Sequence, residues 1–170
     1  MRLYTFTHYM LSPIAKGIQS GHATTELFVK YNDPKEQDTS IKEIEKGLMV
    51  FDWARDHKTH IALNGGTSPD LQEIVDILTE ICDYPWADFN EDESLGGLRT
   101  SIAMVIPEKI YTIAELVRNK ILIDVEYGYR VNSEDDVVIY DAKLTLNRFI
   151  ISDKDKKLID YINNFRLMGV

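Results

Sequence analysis

Apolar and polar residues alternate from Arg2 to Thr7, where Leu3, Tyr4 and Phe6 are set among Arg2, Thr5 and Thr7, a spacing that predicts a strand covered on at least one face. A polar loop follows, because Pro13 cannot donate to a ladder and Gly17 loosens the backbone. From Gly17 to Tyr31 the period becomes helical, with Ile18, Ala23, Leu27 and Val29 joined by Phe28 and Tyr31 on one broad face. Asn32 to Thr39 is a polar loop with an Asp33-Pro34 turn signal. Ser40-Ile41-Lys42-Glu43 has capping-box spacing and opens a second helix, in which Ile44, Leu48, Phe51 and Trp53 with Ala54 supply the buried side.

A second strand is expected from Thr59 to Leu63, ending in Asn64-Gly65-Gly66. Ser68 then serves as N-cap and Pro69 as first residue of a third helix, marked by the repeat Leu71, Ile74, Val75, Leu78, Ile81. Asp88 to Ser94 reads as an acidic loop, followed by Gly96-Gly97 and an apolar strand from Ile102 to Ile106. A short helix is placed at Ile113 to Ile121 and packed back on the sheet. Beyond Ile123 come alternating or apolar stretches through Val125, Tyr127 and Tyr129, from Val137 to Tyr140 and from Leu144 to Ile151. Ser152 caps a last helix with Leu158, Ile159, Ile162 and Phe165 on one side. Strands alternating with helices predict an α/β fold: a three-layer mixed sheet flanked by helices over residues 1–122, with a β/α extension over 123–170 that packs on the same domain or on a partner subunit.

The 170 residues, 44% of them hydrophobic, are enough for one good core. No apolar run is long enough to span a membrane and no cleavable leader precedes the first strand, so a cytoplasmic location is expected. The single cysteine, Cys82, falls on the apolar side of the third helix, as a buried structural thiol does. A formal net charge of −9 weighs against extended nucleic acid, whose binding needs several Lys or Arg on phosphates. A compact ligand with one to three phosphates is penalised less, and Lys16, Lys30 and Lys35 could form a local basic patch.

Candidate chemistry gathers after the first strand. Gln19 and His22 stand three apart near the expected start of the first helix, where unpaired N–H groups and the macrodipole favour anions. Gln19 would orient His22 or a loop carbonyl, and Arg99 is the nearest anion clamp to Thr100, or else pairs with the acidic loop. His57-x-x-His60 lacks a third ligand, and the spacing of Asp88, Glu91, Asp92 and Glu93 is not that of a calcium loop, so no metal is assigned. Asn64-Gly65-Gly66 has no phosphate-loop lysine and reads as a turn. Tyr127, Tyr129 and Tyr140 fit strand packing better than base stacking.

Over Met1 to Pro107 the chain resembles the class II peptidyl-tRNA hydrolases and their phage-encoded relatives. The resemblance rests on Gln19-Ser20-Gly21-His22-Ala23 after a strand and loop, on Thr59-His60-Ile61-Ala62-Leu63, and on Thr100-Ser101-Ile102-Ala103-Met104-Val105-Ile106-Pro107. It implies a cleft shared by His22 and Thr100. Two departures stand out. Ala15 occupies the position of the family's lysine, with Lys16 one residue off, and the acidic Glu91, Asp92 and Glu93 lie on the far side of a Gly96-Gly97 insertion from the threonine.

The resemblance and the lost lysine together lead to an expected function: binding, without turnover or cofactor, of a small phosphate-containing nucleotide through Lys16, Gln19, His22, Arg99 and Thr100. A phage protein of this kind would act in the host cytoplasm as a homo-oligomer, sequestering an immune signal such as a cyclic nucleotide or an ADP-ribose derivative. One alternative is hydrolysis of peptidyl-tRNA or of a nucleotide ester, with His22 as general acid or base, Lys16 or Arg99 stabilising negative charge and Thr100 in the cleft. The other is a protein–protein inhibitor acting through the C-terminal region.

Overall fold

Strand β1 (Arg2–Thr7) lies inside a four-stranded mixed sheet of order β2-β1-β4-β3. It runs parallel to β2 (His60–Asn64) and antiparallel to β4 (Arg99–Ile106), and β3 (Trp86–Asn90) is antiparallel to β4 at the far edge. The computed structural model describes residues 1–32, 40–119 and 151–168, which divide into two compact units, Met1–Ile106 with Phe165–Val170, and Pro107–Asn164. The chain is thus mixed α/β, with five α-helices among the described residues.

Alternation along β1 sorts the first unit into layers. Leu3, Thr5 and Thr7 face α1 (Pro13–Asn32) and α2 (Ile41–Asp52), where Leu3 joins Ala23, Leu27, Tyr31, Val50, Ala87, Ala103 and Val105 in one core. Tyr4 and Phe6 face the other way with Ile102, Met104 and Ile106, all fully buried. On that side α3 (Ser68–Ile81) buries Leu71, Ile74, Leu78 and Ile81, and Cys82 at its end is buried 3.6 Å from Met104 Sδ. The outer edge of β2 is partly covered by the chain's return: Asn64 N donates to Arg166 O at 3.0 Å, Met168 N to Ala62 O at 2.9 Å, and Phe165 meets Phe6 edge-on at 4.8 Å.

The α1 layer is not wholly apolar. Ser20 Oγ sits 3.2 Å from Thr5 Oγ1 and 3.0 Å from Thr7 Oγ1, Thr7 Oγ1 is 3.2 Å from Ser101 Oγ, and Thr5 Oγ1 is 2.7 Å from His60 Nε2. All four hydroxyl residues are buried. Each hydroxyl can donate once and accept twice, so a chain of them satisfies itself where an isolated one would be costly.

Several elements of the first unit differ from the sequence expectation. Helix α1 begins at Pro13, not Gly17, because proline suits the first turn and Ser12 caps it, its Oγ accepting from Ala15 N at 3.2 Å. Gly17 and Gly21 face open space and are tolerated inside the helix. The acidic stretch begins as strand β3, since Asp88 and Asn90 lie at an edge where polar side chains reach water. Helix α3 starts one residue early: Thr67 is the N-cap, and its N and Oγ1 both donate to Asp70 Oδ2 at 2.7 Å. In α2 the buried residues are Gly47 and Val50, whereas Ile44, Leu48 and Phe51 are exposed and Trp53 and Ala54 are half-buried. Gly47 causes this, because a Cβ there would stand 2.6 Å from Tyr31 O: the helix presses its bare backbone on the end of α1 and turns its strongest apolar stripe outward.

The second unit holds α4 (Glu108–Arg118) and α5 (Asp153–Asn163), joined by Asn163 Nδ2 donating to Ala114 O at 3.1 Å and by a Lys109–Asp155 ion pair at 3.8 Å. Helix α4 starts five residues before the expected Ile113, directly after Pro107, whose fixed φ breaks the strand. Ser152 and Asp155 form a capping box on α5. That helix ends at Asn163, so Phe165 belongs to the first unit instead of to the helix face. The segments expected as strands within 123–150, the 122/123 boundary, the loop at 33–39 and Lys35 lie outside the described residues.

Replacing Ser20 by Ala removes two buried hydrogen bonds while leaving Thr5 and Thr7 one partner each. Unfolding free energy from urea titration should fall by about 1–2 kcal/mol; a loss within error would mean the hydroxyl chain does not hold α1.

Candidate functional site

The side chain of Gln19 is held at both ends. Its Nε2 donates to Glu91 Oε1 at 2.7 Å, and its Oε1 accepts from Thr100 Oγ1 at 3.0 Å. Thr100 reaches it because the β3–β4 ladder slips: Phe89 pairs with Ser101 but Asn90 with Arg99, which leaves Thr100 as the extra residue of a β-bulge. Bulges redirect side chains, and here the backbone remains anchored by His8 N donating to Thr100 O at 3.0 Å.

Glu91 is presented by a built turn. Its N donates to Leu98 O at 2.9 Å, closing the β3–β4 connection, and Asp92 Oδ1 accepts from Ser94 N at 2.8 Å. That bond holds the Asp92 carboxyl below the ordinary aspartate range. Gly96 and Gly97, at φ of 83° and 58°, complete the reversal in a conformation that side chains disfavour.

His22, one turn after Gln19, stacks on Phe89 with centroids 4.6 Å apart and an interplanar angle of 13°. It is exposed, whereas Lys16 is half-buried in the second turn, on the sheet-facing side that α1 also presents through Ser20, Ala23 and Leu27. Arg99 goes elsewhere. Its Nε donates to Asp88 Oδ2 at 2.8 Å and its Nη1 to Gln72 of α3, on the sheet face opposite α1. The structure therefore gathers Gln19, Thr100 and Glu91 with His22 and Phe89 nearby, and separates Arg99 from them.

One expectation about this site needs correcting. With Pro13 as first helical residue, Gln19 lies in the second turn and His22 in the third, beyond the first-turn N–H groups where the macrodipole acts. Neither residue belongs to a helix-terminal anion site. Glu91, by contrast, falls in the stretch expected as an acidic loop; its position five residues before Gly96 in a β-hairpin is the signal that it could fold back to the strand ends.

Chemically the arrangement orients more than it activates. The Thr100 hydroxyl gives its hydrogen to an amide oxygen, which is a poor base, and His22 is backed by an aromatic ring instead of a carboxylate. Among the described residues no three His, Cys, Asp or Glu side chains converge as metal ligands, and no helix is long and apolar enough to cross a membrane. No protein-family model matches the chain, and no curated protein matches it in sequence.

His60 is an exposed residue whose Nε2 nevertheless lies 2.7 Å from the buried Thr5 hydroxyl. Partial loss of hydration there lowers its pKa below the ordinary histidine value. A group that protonates more readily unfolded than folded stabilises the fold fully above about pH 6.5, and that contribution is lost as pH falls from there through the lower folded value. Denaturant midpoints measured down to pH 5.5 should therefore decline more steeply for the native chain than for His60→Gln; parallel declines would show that His60 is not the titrating group.

Proposed function

We propose that the first unit binds a small nucleotide-like ligand at the strand ends where α1 meets β4, and holds it without turnover. The observation that supports this most is the Thr100–Gln19–Glu91 relay, a fixed row of polar groups with no activated nucleophile among them. The exposed His22 ring, stiffened from behind by Phe89, offers a flat surface for a base. Glu91 can accept from base N–H groups, and Lys16 is the cation available on the same helix for a phosphate. Acidic Asp92 and Glu93 beside this surface disfavour a long polyanion such as tRNA.

Hydrolysis of a peptidyl-tRNA or nucleotide ester is the second reading, favoured by one contact: Glu91 stands by Gln19, which supplies an acid near the threonine and histidine that the resembling hydrolases also carry.

Calorimetric titration with mono-, di- and cyclic nucleotides and with ADP-ribose separates the two. Binding of intact ligand, weakened at least about ten-fold by His22→Ala or Lys16→Ala, a loss of about 1.4 kcal/mol, is the expected outcome. Cleaved product exceeding the protein in amount, from a nucleotide or from peptidyl-tRNA, would overturn sequestration in favour of the enzyme.

A further inference from the structure

Helix α2 exposes a continuous apolar row. Ile41 is 76% exposed, Ile44 45%, Leu48 57% and Phe51 51%, although the helix has Gly47 and Val50 buried on its inner side. Scattered apolar residues on a surface are ordinary, but four on one stripe of one helix are not. Phe28 of α1, edge-on to Phe51 at 5.9 Å, extends the row.

We propose that this face pairs with the same face of a second copy, the two α2 helices lying antiparallel across a two-fold axis. The row is palindromic: its members are three, four and three residues apart in either direction. About an axis at the level of Lys46, Ile41 meets Phe51 of the second copy and Ile44 meets Leu48, so one stripe is its own complement, as an isologous interface requires.

Area supports the same occupant. The four side chains leave roughly 400 Å² of apolar surface in water, as large as the biggest patch on a typical monomer. Because apolar atoms make up rather more than half of an interface, that core corresponds to roughly 700 Å² per copy, close to the roughly 800 Å² per partner of a stable pair. This inference does not depend on the ligand site.

Sedimentation from low to high micromolar concentration should give a species of twice the chain mass. Leu48→Glu or Phe51→Glu should return it to the monomer with an unchanged circular dichroism spectrum, since both positions already face water. In a Cys82→Ser background, Glu45→Cys, beside the axis, should form an inter-chain disulfide under mild oxidation, whereas Glu73→Cys on α3 should not. A chain that stays monomeric throughout, a dimer indifferent to both glutamates, or cross-linking at position 73 but not 45 would each overturn the proposal.

Discussion

The hydroxyl of Ser20, wedged between Thr5 and Thr7, sets where everything on α1 points. An apolar helix face can roll on an apolar sheet at little cost, because dispersion and burial are non-directional. Two hydrogen bonds to a strand two residues deep cannot roll. Once Ser20 is locked downward, helical geometry carries Gln19 and His22 to the flank of α1 that overlooks β4 and β3, where Glu91 and Phe89 meet them. The small size of the four hydroxyl residues also lets α1 approach β1 closely, which a layer of leucines would prevent.

The β-bulge at Thr100 works as a second constraint. Without it, the neighbours Arg99 and Thr100 would follow ordinary alternation into the ladder; with it, Thr100 serves the α1 face while Arg99 serves the α3 face. That division places the Arg99 guanidinium against Asp88 and Gln72, half-buried and committed, away from the candidate site. Exposed ion pairs contribute little, but at 15% and 26% side-chain exposure this one is sheltered enough to keep Arg99 in place.

Much of this was legible in the chain. The strand at Arg2, the Ser40 N-cap, the capping box at Ser152 and the amphipathic repeat of α3 follow from periodicity and local hydrogen bonding, which depend on near neighbours. The misread features depend on what lies across space. Strand β3 carries acidic residues that only an edge position permits, and the bulge that moves Thr100 exists only in the pairing of two strands. In α2 the largest apolar stripe looked like the inner one, yet the helix docks through a glycine because Tyr31 O leaves no room for a side chain. Of the candidate site, His22, Gln19 and Thr100 could be named from their motif, whereas Glu91 needed the folded turn to bring it 72 positions back along the chain.

Charge placement sharpens what such a site can accept. The chain carries nine more acids than bases, and three of the acids, Glu91, Asp92 and Glu93, crowd the turn that follows β3, the strand whose Phe89 stacks on His22. A polyanion approaching from solution meets that field before it meets Lys16, and a Debye length of about 8 Å at physiological salt does not screen charges so close together. A compact ligand escapes the conflict by its size: its flat apolar part can lie on the imidazole with its donors at Glu91, while its single charged end points along α1 towards Lys16. In the proposed reading, the same acidic turn that would repel long nucleic acid would serve a small ligand as the hydrogen-bonding wall.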